Sequence, residues 1–214
     1  MMPMKTNERE YRDFTLAVVE LEDNNEQKDM VVRGYASTFN EPYTLYEDDE
    51  YKIMEQVAPD AFANADMSDI IFQYDHSGRV FARTSNETLK VDIDEKGLAI
   101  EANLGGTDIG KQLYEEIRGG YTTKMSYAYK VNDSEWTETK DESGRTVELR
   151  TIKGISKVYD VSAVSLPAND GTSISVRNLS DGVIEQVKAE RLKALELERR
   201  KLQTKLRLGG FNHV

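Results

Sequence analysis

Cysteine is absent, and histidine occurs only twice, at His76 and His213. The first absence excludes a disulfide framework, a thiolate nucleophile and a cysteine zinc site. The scarcity of histidine excludes a histidine-rich metal site, and no cofactor is expected. Long apolar runs are missing too: LAVVEL and MVV fall far short of the roughly 20 residues that a membrane-crossing helix needs. The opening MMPMKTNERE has no apolar centre of the kind a secretory signal carries. The expectation is a cytoplasmic chain with no membrane partner. Positive charge is also in deficit. With a formal net charge of −11 and a pI near 4.8, the chain lacks the basic footprint of a nucleic-acid binder, so no nucleic acid is expected as a partner.

What is present is a chain of 214 residues, long enough for one principal domain with a buried core and an appendage. Its charge is uneven: residues 183–208 hold eight Lys or Arg against four Glu, so a basic tail of net +4 hangs on an acidic body of −15. Periodicity divides the body. FTLAVVELE and DMVVRGYASTF read as an opening hairpin, EDDEYKIMEQV as a further strand, and PDAFANA as the first turn of a short helix begun by Pro59. DIIFQYDHSGRVFARTSNETLKVDIDEKGLAIEANL reads as a meander of four short strands, with turns at Ser77-Gly78, Ser85-Asn86 and Glu95-Lys96-Gly97. TDIGKQLYEEIRGG has an N-cap at Thr107, one apolar face in Ile109, Leu113 and Ile117, and a glycine stop.

Two strand segments follow, TTKMSYAYKV and TVELRTIKGISKVYDVSAVSL, separated by the polar excursion SEWTETKDESGR. About ten strands with two short helices predict a mainly β protein with some α (α+β), built as a closed or nearly closed antiparallel β-barrel with helices packed outside. The predicted barrel domain spans 1–180. From residue 181 to 214 the pattern becomes a basic amphipathic helix, with Ile184, Val187, Leu192, Leu195, Leu202 and Leu206 on one face, and then a short disordered tail.

Ser126 stands on a strand where Val or Ile would pack better. A serine hydroxyl becomes a useful nucleophile only beside a general base, almost always histidine, that is oriented by a third polar group. His76, next to a glycine turn, is the one histidine inside the body. A lone histidine and a strand serine are more often plain polar surface, and the pairing is spatial, so these residues alone do not decide it. A third idea, a divalent-cation site in EDDE at 47–50, competes with an ordinary solvated acidic loop.

VVRGYASTFN, VAPDAFANA, the YDHSGRVFARTSNETLKVDIDEKGLAIEANL meander, DIGKQLYEEIRGGYTTKMSYAYKV and VYDVSAVSLPAND, in this order over about residues 31–177, resemble the prohead (capsid maturation) protease family of tailed bacteriophages. That family is related to the herpesvirus assemblin serine proteases. The resemblance implies a herpesvirus-protease-like fold and a serine endopeptidase that cleaves capsid and scaffold proteins, and itself, during capsid assembly. It would work in the host cytoplasm, inside the assembling procapsid. Carried over by position, the catalytic histidine falls on His76, the nucleophile on Ser126, and the acidic member on Asp160 of YDVSAV, where Asp replaces the commoner Glu and shortens the reach by one methylene. Asp92 and Glu148 stand as substitutes for that third member. Oxyanion donors are open between backbone N–H groups near the turns, Arg79 and Arg118. The tail helix is open to packing on its own domain, to docking on procapsid partners, to pairing into a homodimer or higher oligomer, and to removal by self-cleavage. The alternative function is a non-catalytic scaffold module that keeps the protease fold.

Overall fold

The computed structural model describes residues 10–15 and 30–165, together with Ala189, Leu192, Lys193, Glu196, Leu197, Arg200 and Lys201. Two compact units divide the chain at Ser175/Val176. In the second unit the seven described residues are helical and exposed; of the apolar stripe expected there, only Leu192 lies within the described residues.

The first unit is mainly β, as the alternating segments imply. Its strands are β1 (Glu10–Thr15), β2 (Val31–Thr38), β3 (Tyr43–Glu47), β4 (Tyr51–Val57), β5 (Ile71–Tyr74), β6 (Ser77–Arg83), β7 (Leu89–Ile93), β8 (Gly97–Asn103), β9 (Lys124–Lys140) and β10 (Thr146–Val164), with one helix, α1 (Asp108–Arg118). YKIMEQV of β4 buries every second residue, as a strand with one face on a core must. In β2 the same alternation breaks at Ala36 and Ser37, both buried, because the register against β8 shifts between Tyr35 and Ser37.

The strands form two sheets. The larger runs β1-β9-β10-β4-β3, with β5 also on β10 and β6 on β5; the smaller runs β2-β8-β7. No closed barrel is found among the described residues. The count of strands carried no information on closure, and the chain changes sheet at a 3-10 turn over Thr84–Asn86 followed by Glu87 in the left-handed region. The expected four-strand meander is therefore two hairpins, β5–β6 and β7–β8, in different sheets. The opening hairpin is likewise not formed, since β1 pairs with β9 and β2 with β8; of FTLAVVELE only Phe14 and Thr15 are described. PDAFANA makes successive turns rather than a helix, with Ala61 N–H donating to Ala58 O and Ala63 N–H to Asp60 O.

β9 and β10 are the spine. The supposed polar excursion is the far arm of their hairpin, paired from Lys140↔Thr146 onward. On one face of β9, Met125, Tyr127 and Tyr129 are 0% exposed and join Val161, Ala163 and Phe72 in the core. Leu113, Tyr114 and Ile117 of α1 belong to the same core. The helix is capped as expected, the Thr107 hydroxyl accepting from Gly110 N–H at 3.1 Å. Gly110 also lets the first turn approach the Leu104 carbonyl, where a Cβ would sit 2.2 Å away.

Candidate active site

The other face of β9 and β10 is polar. In the antiparallel register Ser126 lies directly opposite Ser162, and Asp160 opposite Ala128. Because side chains alternate along a strand, Ser126, Ser162 and Asp160 share one face, while Met125, Tyr127 and Val161 turn to the core. β5 runs parallel to β10 on its far side, with Ile71 level with Asp160 and Gln73 with Ser162. The chain then reverses through Asp75 and His76.

That reversal is tight. Tyr74 pairs with Ser77, so Asp75 and His76 are the two central residues of the hairpin, and both have positive φ, 48° and 52°. A type I′ turn requires this of both positions, and Asp and His tolerate the left-handed region better than most residues without being glycine. Asp75 ties the strained turn to the end of β10: its N–H donates to Ala163 O at 2.9 Å, and its Oδ1 accepts from Ser165 N–H at 2.8 Å. The Ser165 hydroxyl lies 2.9 Å from Asp75 Oδ2.

From this turn the imidazole spans β10. Its Nδ1 lies 2.5 Å from Asp160 Oδ1 and its Nε2 2.6 Å from Ser126 Oγ. With an ionised carboxylate at Nδ1, the ring carries its proton there and Nε2 is free to accept from the Ser126 hydroxyl. Asp160 Oδ1 also accepts from Ser162 Oγ at 3.0 Å. The His76 side chain is 17% exposed and that of Asp160 6%. Ser126 is 0% exposed. The shorter Asp side chain at position 160 thus reaches the ring.

The structure brings His76, Ser126 and Asp160 together and leaves the other candidates elsewhere. Asp92 is exposed on β7 in the smaller sheet, its Oδ1 accepting from Ile93 N–H. Glu148 is buried on β10, level with Glu138 and Ile53, in the far arm of the hairpin. Arg118 pairs with Glu115 one helical turn away at 3.1 Å. Arg79 is exposed in an open cleft of about 470 Å³ between the β5–β6 hairpin and α1, with Tyr74, Phe81, Gln112, Leu113 and Glu116 among its walls. The EDDE acids are engaged locally: Asp48 Oδ1 accepts from Glu50 and Tyr51 N–H, and Glu47 pairs with Lys52 and Arg145. Among the described residues no group of three or more acidic or histidine side chains is placed to hold a metal. Sequence reasoning missed Asp75 and Ser162. The second was open to it, since Asp160 and Ser162 are two apart on a strand and so share a face.

The profile of the caudovirus prohead serine protease family (Peptidase S78) matches residues 15–188, well over half of the chain. The chain belongs to this family. Among curated proteins none is significantly similar. Among solved structures, the bacteriophage T4 capsid assembly protease is similar at 10% identity and a TM-score of 0.39, over 73% of this chain and 96% of that one. That likeness is too distant to add to the family assignment, which rests on the sequence match.

Proposed function

We propose that this chain is a serine endopeptidase of capsid maturation, with Ser126 as nucleophile, His76 as general base and Asp160 as the group that holds the imidazole. The single observation that carries the reading is the continuous line Ser126 Oγ, His76 Nε2, His76 Nδ1, Asp160 Oδ1, with contacts of 2.6 and 2.5 Å. In acylation the hydroxyl proton passes to Nε2 as Oγ attacks a peptide carbonyl, and the doubly protonated ring then gives that proton to the leaving amine. Water repeats the cycle on the acyl-enzyme. Asp160 stabilises the imidazolium and fixes the tautomer, and Ser162 steadies the same carboxylate oxygen. Family membership supports procapsid proteins as substrates, scaffold and capsid subunits and the chain itself among them, with the procapsid interior as the place of action.

We read residues 1–180 as the protease domain and the basic segment 181–214 as the part that docks on procapsid partners or is trimmed. One observation favours the non-catalytic scaffold reading: Ser126, the proposed nucleophile, is 0% exposed. The two readings separate on storage. Mass spectrometry of the full chain over time is expected to show it shortening, and Ser126→Ala, still folded, is expected to stay intact. Identical fragments from both proteins, or none from either, would reject self-cleavage.

A further inference from the structure

β9 has two edges beside Ser126. β10 takes one. β1 takes the other over Lys124–Tyr129, with Asp13 directly opposite Ser126. A strand edge presents a row of N–H and C=O groups, and an extended peptide can add to it by backbone hydrogen bonds alone. Resting on the protease reading above, we propose that the edge of β9 beside Ser126 is the peptide-binding edge of this enzyme, and that β1 is its intramolecular occupant, a strand the substrate must displace.

Three observations converge on this. The first is closure: Ser126 and Ser162 are 0% exposed and Asp160 4%, so the hydroxyl is reached only after some part of the present packing leaves. The second is the extent of the family match, which begins at residue 15. All of β1 but Thr15 precedes it.

The third is how β1 is fastened. Glu10 and Glu55 both hold Arg150, with Arg150 Nη1 2.5 Å from Glu10 Oε2 and 2.8 Å from Glu55 Oε2, and Nη2 2.9 Å from Glu10 Oε1. All three side chains are at most 2% exposed. Two carboxylates therefore share one guanidinium. If β1 departs, Arg150 keeps Glu55, and Glu55 keeps the hydroxyls of Tyr43 and Tyr129 that donate to its Oε1. Release therefore leaves a one-to-one pair rather than an orphaned charge, the outcome that makes breaking most buried ion pairs so costly. Glu10 is the detachable member of the cluster.

The test is a reversible lock. Thr15 and Lys124 are partners in the antiparallel register, where Cα atoms lie about 4.5–5.5 Å apart, inside the range a disulfide spans. The chain has no cysteine of its own to interfere. In the full chain carrying Thr15→Cys and Lys124→Cys, the rate of labelling by a fluorophosphonate is measured oxidised and again after reduction. The oxidised protein is expected to label about a hundredfold more slowly, in proportion to the lost open fraction, with reduction restoring the rate. Glu10→Ala, without the lock, is expected to label several-fold faster than the parent. Equal oxidised and reduced rates, with the crosslink verified by mass, would overturn the inference alone, as would a Glu10→Ala rate at or below the parent's. Labelling of none of these proteins would overturn the protease reading and the inference with it.

Discussion

Two buried polar clusters lie along β10, and their difference separates a fastening from a candidate reactive site. At Arg150, Glu10 and Glu55 surround a guanidinium; at Asp160, a carboxylate and the Ser126 hydroxyl flank an imidazole. Burial and hydrogen bonding are similar. The middle group is not. Burial opposes the Arg150 charge, but attraction to Glu55 and the hydrogen bonds Arg150 donates to Glu10 outweigh it and push its pKa above its already high value. It is a fixed cation with no proton to move. An imidazole changes between one and two protons within the ordinary pH range, and its two nitrogens face two different partners. Chemistry is therefore expected at position 160 of the strand and only cohesion at position 150.

The largest way to break this contrast is at the ring's partner. Asp160→Asn preserves shape but sets the wrong tautomer, and the acylation rate is expected to fall by up to about ten-thousandfold, as in the trypsin example of this substitution; stopped-flow or timed labelling measures it. Next is the fastening: Arg150→Met leaves Glu10 and Glu55 buried without their cation, and urea unfolding is expected to show a loss of about 3–5 kcal/mol. An unchanged midpoint would mean that the two carboxylates already tolerate each other.

A smaller effect belongs to the turn. Asp75→Ala removes the tie to Ser165 and places an ordinary residue at positive φ. The labelling rate is expected to fall by about tenfold, equivalent to about 1.4 kcal/mol. Asp75→Asn, which keeps an acceptor oxygen and tolerates that backbone, is expected to rescue most of the rate. Equal loss in both variants would point to the charge of Asp75 rather than to its clamp.

The smallest effect lies farthest from the site, at the tip of the β9–β10 arm. The bond from Ser143, against a smaller opposing cost of burial and with help from Arg145, holds the Asp141 carboxyl at about 2. Its folded value lies below its unfolded one, so its contribution to stability is present above the ordinary carboxylate range near 3.9 and is lost as pH falls toward 2. Carboxyl NMR titration is expected to find that low midpoint, and Asp141→Asn to be slightly less stable than the parent at neutral pH, with the difference fading as pH falls toward 2. A midpoint near 3.9 would remove the claim.

How much of this was legible beforehand depends on the range of the signal. Helix α1 follows from Thr107, the Leu113–Ile117 spacing and the glycine stop, all local features, and it stands at Asp108–Arg118. Strand content also followed from alternation. What escaped was whatever depends on partners distant in sequence. Nothing near Glu10 announces Arg150, 140 residues away, and nothing in FTLAVVELE shows that the first strand joins β9. Closure into a barrel was inferred from a strand count, yet the reversal at Glu87 sends β7 and β8 to a second sheet. At the candidate site, the resemblance singled out His76, Ser126 and Asp160, whereas their supports, Asp75 and Ser162, needed the register of three strands. The turn was expected at Ser77-Gly78 but is made by Asp75 and His76. A turn needing two positive φ values usually draws glycine or asparagine, and here the ring that must face Ser126 occupies one of them.

The most direct test of the account is the position of the covalent adduct. The full chain and its Glu10→Ala variant are incubated with a fluorophosphonate, digested, and mapped by mass spectrometry. One adduct is expected, on Ser126, and none when His76 is replaced by alanine. An adduct on another serine, or none on Ser126 in either protein, would contradict it.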